Sequence, residues 1–118
     1  MKRITHDTLV DLGACAKELA AFDREWPTGV SITRGNCLRA VELGLDMEWL
    51  ARSVLTGDAL KEYHVARDKA RCEAYDTVSV YNAGREYTVA EAKAWEEYRK
   101  TLAIAFWRAV RGMESVCE

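Results

Sequence analysis

With 118 residues, 49% of them hydrophobic and 31% charged, the chain has ordinary globular composition and length for one domain with a sizeable core, which excludes a disordered segment. Its formal charge of −2, from 17 basic and 19 acidic residues interleaved along the chain, excludes both the basic footprint of a nucleic-acid binder and the acidity needed to imitate a phosphate backbone. The longest apolar run, Leu102 to Trp107, is far short of a membrane span, and Asp7 and Asp11 interrupt any signal-peptide core behind Met1-Lys2-Arg3, so the expectation is a cytoplasmic protein.

The first predicted helix starts at Thr5, whose side chain can cap it, with Asp7 at the positive end of the dipole. Leu9, Leu12, Ala16, Leu19 and Ala20 share one face, Gly13 on that face would admit another backbone, and the helix fades near Asp23, before Trp26-Pro27. Thr28-Gly29 reads as a turn and Val30-Ser31-Ile32 as a short extended link. Thr33 caps a second helix that runs to Leu43 and stops at Gly44. Asp46 caps a third, with Met47, Leu50, Ala51 and Val54 on one face, and Thr56-Gly57 ends it.

Two longer helices follow. From Asp58 to Ala83 a stripe runs through Ala59, Leu60, Tyr63, Ala66, Ala70, Ala74, Val78 and Tyr81. Its near 11-residue spacing keeps it almost straight, and its alanine-rich middle permits close helix–helix approach. Asn82-Ala83-Gly84-Arg85 breaks the pattern, and Thr88-Val89-Ala90-Glu91 is a capping box. From Val89 to Gly112, Ala92, Trp95, Tyr98, Leu102, Phe106, Ala109, Val110 and Met113 share a face, while Ile104 and Trp107 lie off it. That second apolar side predicts a central helix there, packed on both the fourth helix and the short ones. The expected fold is all-α: one helical domain over 1–118, with three short N-terminal helices (5–57) packed on a long antiparallel two-helix hairpin (58–113).

The hairpin carries a degenerate internal repeat. Ala59-Leu60-Lys61-Glu62-Tyr63 matches Ala94-Trp95-Glu96-Glu97-Tyr98, and Ala70-Arg71-Cys72-Glu73-Ala74-Tyr75 is a looser copy with one residue inserted. It is too short for a solenoid and reads as a helix-packing module.

Asp11-Leu12-Gly13-Ala14-Cys15, Asn36-Cys37, Leu45-Asp46-Met47-Glu48-Trp49 leading to Leu55, the Ala-x-x-Glu-Tyr repeats and Ala105-Phe106-Trp107-Arg108-Ala109 together resemble a group of small phage and prophage proteins. The resemblance implies a phage accessory gene, a class that includes stoichiometric inhibitors of host defence, anti-CRISPR proteins among them.

Chemistry-bearing patterns are sparse. The four cysteines, Cys15, Cys37, Cys72 and Cys117, form no C-x-x-C pair and read as free thiols in a reducing compartment. His64 and Cys72 share a helix but diverge by roughly 80° at 100° per residue, too far for a nucleophile–base pair. No Glu-x-x-His or His-x-x-x-His pair and no glycine-rich phosphate loop occurs. The expectation is therefore no enzyme activity, no catalytic residues, no metal and no cofactor. The second and third helices have a helix-turn-helix outline, but Met47, Glu48, Trp49, Arg52 and Ser53 make a poor major-groove surface.

What remains is action by surface contact. Trp26 beside Pro27 and Trp49 at a helix edge are candidate exposed anchors. His64, Asp68, Cys72 and Tyr75 form a mixed stripe beside the core face, and the tip at Arg85 and Tyr87 is a further contact point. The expected partner is a host protein or ribonucleoprotein defence complex in the bacterial cytoplasm, blocked sterically, without sequence-specific nucleic-acid contact or membrane. The alternatives are a virion structural or assembly protein, with the hairpin as a homo-oligomerisation element, and a helix-turn-helix regulator.

Overall fold

The computed structural model describes residues 3–80 and 87–117, with side chains over 3–76 and 91–113. The chain is mostly helical, with six helices and one small ribbon among these residues. In order they are β1 (Arg3–Ile4), α1 (His6–Leu12), α2 (Ala16–Glu25), β2 (Val30–Ser31), α3 (Arg34–Glu42), α4 (Met47–Val54), α5 (Gly57–Val80) and α6 (Tyr87–Cys117).

The caps follow local chemistry. Thr5 accepts from the Thr8 backbone N–H, and the Thr8 hydroxyl accepts from the Thr5 N–H, so two orphan donors are satisfied reciprocally. Thr33 accepts from the Asn36 N–H at 3.1 Å and Asp46 from the Trp49 N–H at 3.0 Å.

The expected single first helix is two helices. Gly13 ends α1 in the left-handed region, φ 88°, and the Gly13 and Ala14 N–H groups close back on the Val10 and Leu9 carbonyls. A Cβ at Gly13 would meet nothing within 4 Å, so the residue serves the turn and not the close approach expected of it. The break also re-aims the face. Leu9 is buried, but Ala16 and Ala20 are exposed, and α2 buries Phe22 instead. The N-terminal half thus holds four short helices, not three. The extended link pairs antiparallel with the chain start, Ile4 opposite Val30, as β2 on β1. Gly29 makes this possible: its φ is 92°, and a Cβ there would sit 2.9 Å from the Ile4 carbonyl oxygen.

Two clusters of buried residues form the interior. Ile4, Leu9 and Phe22 make a small one between the ribbon, α1 and α2. The larger joins Cys37 and Ala40 of α3, Met47 and Ala51 of α4, Leu55, Ala59 and Tyr63 of α5, and Leu102, Ala103, Phe106, Ala109 and Val110 of α6. Helices α5 and α6 run antiparallel, since Tyr75 meets Trp95 while Tyr63 lies beside Ala105 and Ala109. On α6, Ala92, expected inward, is exposed and Ala94 is buried. The short helices cover residues 102–110, but toward the start of α6 the remaining neighbour is α5, and the buried face turns toward it. Helix α6 begins one residue ahead of the expected Thr88 cap and runs past Gly112 to Cys117. The expected break at Asn82–Arg85 and stripe residue Tyr81 lie outside the described residues, as does the Val78 side chain.

Phe106, 1% exposed, sits where α3, α4, α5 and α6 meet. Phe106→Ala is expected to lower the unfolding free energy by about 3–5 kcal/mol in urea titrations. Gly29→Ala should lower it by about 1–3 kcal/mol through forced positive φ and the Ile4 clash. Gly35→Ala, on the open side of α3, should raise it by about 0.5–1 kcal/mol.

Candidate protein-interaction site

The first turn of α4 begins the site. Because Asp46 caps that turn, Glu48 projects from it toward α5, where Arg67 and Arg71 stand one helical turn apart. Both guanidinium groups reach the same carboxylate oxygen, Arg67 at 3.4 Å and Arg71 at 3.7 Å, and Arg67 also holds Asp68 at 3.2 Å. These are long contacts for charge-assisted pairs. The Arg67 side chain is 19% exposed, so the network is half sunk into the surface.

Beside these charges lie two phenols from different helices. Tyr63, on α5, is 1% exposed, and its hydroxyl is buried without a hydrogen-bond partner. Burial pushes its ionisation up, and the Glu48 carboxylate and Tyr98 push it further. The Tyr98 hydroxyl, on α6, is buried and equally unpartnered in hydrogen-bond geometry, although it lies close enough to Arg71 to favour that side chain's charge. From Tyr98 the site continues outward as an aromatic ladder. Trp95 meets Tyr98 edge-on at 5.5 Å, and Tyr75 meets Trp95 edge-on at 5.3 Å, the preferred geometry of ring quadrupoles. Tyr75, at the outer end, is 57% exposed. On the other flank of Tyr98, a groove of about 320 Å³ opens between the α3–α4 turn and α6, floored by Val41, Leu45 and Leu102 and rimmed by Asp46, Glu48 and Arg99.

The internal repeat accounts for two of the three tyrosines here. Its alanines, Ala59, Ala70 and Ala94, are all buried, and its tyrosines, Tyr63, Tyr75 and Tyr98, are all in the site. A helix that buries the repeat's alanine carries a tyrosine four residues on, as with Tyr63 and Tyr98, toward the same edge, whereas the residue inserted after Ala70 turns Tyr75 outward.

Of the residues expected at an interaction surface, Tyr75 ends the ladder and Asp68 pairs with Arg67. His64 adjoins Tyr63, rings 5.9 Å apart, is half-buried, and has its Nδ1 buried without a partner. Cys72 is exposed on α5. Trp26 and Trp49 lie elsewhere: both are half-buried and packed against the small N-terminal cluster, Trp26 stacking on Phe22 at 5.4 Å. Arg85 lies outside the described residues, as does the side chain of Tyr87, whose backbone opens α6. Sequence reasoning missed Glu48, Arg67, Arg71 and Tyr98 as site residues. The usable signals were the one-turn spacing of the arginines and the repeated tyrosine.

Among the described residues no group of three or more His, Cys, Asp or Glu is placed to hold a metal ion, and no helix is long and apolar enough to cross a membrane. Compared with protein-family models, curated proteins and solved structures, the chain matches none.

Tyr63→Phe removes a buried hydroxyl that makes no bond, so stability at neutral pH should be unchanged or slightly higher, whereas Glu48→Ala, which removes the carboxylate shared by two arginines, should lower it by about 1 kcal/mol. The same phenol sets an alkaline dependence. Its folded-state pKa is raised, so its contribution is complete below the unfolded value of about 10 and is lost as pH rises beyond it, when only the unfolded chain ionises. Urea titrations above pH 10 should therefore show a shallower loss of stability in Tyr63→Phe than in the parent.

Proposed function

We propose that this protein is a non-enzymatic binding module that docks a protein partner on the α4–α5–α6 face, through Tyr75, Trp95, Tyr98 and Arg71. The observation that carries the reading is the ladder itself: an exposed tyrosine backed edge-on by a tryptophan and a second tyrosine, with arginines beside it. Tyr, Trp and Arg dominate the energetics of protein interfaces, and residues fixed on helices lose little freedom on binding. In this reading the two long helices are an arm and the short helices the layer that braces its base.

The sequence resemblance to small phage proteins supports one class of partner. We take the module to be a phage-encoded inhibitor that binds a bacterial defence protein or ribonucleoprotein stoichiometrically in the host cytoplasm and blocks it sterically. A DNA-reading role for α4 fits less well, because Met47 and Ala51 are buried and Glu48 is engaged by two arginines.

The test is capture of defence complexes from host lysates, run with the parent chain and with the Tyr75→Ala/Arg71→Ala double variant. The parent should retain a defence complex and protect infecting phage. The variant should lose at least about tenfold in affinity with an unchanged far-ultraviolet spectrum. Equal capture by both would remove this face from the reading, and no effect on phage survival would remove the inhibitor.

A further inference from the structure

The segment 3–31 is built as a separate layer. It has its own buried cluster, Ile4, Leu9 and Phe22, its own ribbon, and an internal tie between His6 and Asp23 at 2.8 Å. It is contiguous in sequence, so the chain passes from it to the rest of the described structure at one point, Ile32–Thr33. The seam against α3, α4 and α6 is apolar and imperfectly filled, with a cavity of about 60 Å³ that reaches Phe22 on one side and Cys37, Met47 and Phe106 on the other. Two tryptophan-bearing segments cross it in opposite directions: Trp26 of the layer packs on the main core, while Trp49 and Leu50 of α4 pack on the layer's cluster. Atoms lining a void lose part of their dispersion attraction, so this seam holds less firmly than either core.

Polar ties hold the layer down at the edge of the seam. Glu25 of α2 takes two bonds from Arg39 of α3, at 2.9 and 3.3 Å, and that pairing holds the Glu25 carboxyl below its usual range. Glu18 accepts the Asp46 backbone N–H at 3.0 Å, and the Asn36 amide donates to the Ser31 carbonyl at 2.9 Å. All three are solvent-exposed, so water and salt compete with them.

We propose that residues 3–31 form a hinged cover that lifts as a unit about Ile32–Thr33, with the Glu25–Arg39 pair as its latch, and uncovers the apolar seam around Cys37. Such partial openings lie below global unfolding in free energy, and a layer with a private core, one covalent joint and a voided seam meets their physical conditions. The inference is separate from the binding reading proposed above, since it involves none of Tyr75, Trp95, Tyr98 and Arg71.

Cys37 reports on the opening. It is buried in the seam, and burial pushes its thiol up to about 12, so the closed form offers almost no thiolate at neutral pH. Cys15 and Cys72 are exposed and serve as internal standards. The experiment follows iodoacetamide labelling of the full chain at neutral pH, resolved by peptide mass spectrometry, beside urea unfolding read by far-ultraviolet circular dichroism. Cys37 should label faster than global unfolding allows, with a weak urea dependence. Glu25→Gln should accelerate it about fivefold with little change in the urea midpoint, and 0.5 M salt should do the same to the parent. Labelling that tracks global unfolding, or a Glu25→Gln effect no larger than its change in global stability, would overturn the proposal. Amide exchange is the second readout. The Leu9 and Phe22 amides should exchange together and before that of Phe106; exchange of all three at one free energy would also overturn it.

Discussion

Everything in this molecule depends on how the second half of α6 is surrounded. Residues 102–110 are buried on more than one side, by α3 and α4 on one flank and by Ala59 and Tyr63 of α5 on the other, with Phe106 at the junction. A helix in that position cannot rotate without emptying both contacts at once. It therefore fixes the register of α5 against α6 and the seat of the short helices together. That rigidity is what allows side chains from three helices to meet at one surface.

The surface in question is a by-product of repetition. Ala-x-x-Glu-Tyr places a small residue and a large amphipathic one four apart, on one side of a helix. Antiparallel helices that each bury the alanine bring Tyr63 and Tyr98 to a shared edge, the first enclosed and the second half-enclosed, while Tyr75, five residues after Ala70 and not four, stands open. The side chains thus grade from a closed base to an open end. Glu48, Arg67 and Arg71 form its polar side, and the Tyr63 hydroxyl buried beside them has no hydrogen-bond partner.

The N-terminal layer has a different physical character. Its private core is small, its bond to the main body is an apolar seam with a void, and its polar ties lie in solvent. The main core holds most of the buried side chains, Tyr63, Phe106 and Leu55 among them, while the layer buries Ile4, Leu9 and Phe22. The face on α4–α5–α6 is mounted on the firm part.

The sequence alone determined that the chain is mostly helical and where several helices begin, because a cap is a bond between a side chain and a backbone group two or three residues away. Thr5, Thr33 and Asp46 needed nothing from the rest of the fold. It also contained the alanine–tyrosine repeat, and the mixed stripe beside the core face that put Tyr75 forward as a candidate. Tertiary structure decided what depends on distant neighbours. Gly13 has the same identity inside a helix or at its end, and in the fold it takes the left-handed conformation that ends α1. Ala92 and Ala94 are the same residue, and only the extent of the short helices along α6 set which is buried. Glu48, Arg67 and Arg71 look like ordinary surface positions in their own helices, and Tyr98 like one more member of the apolar face of α6. Three helices had to pack before those residues became one site, because periodicity along a single helix carries no information about which other helix will face it.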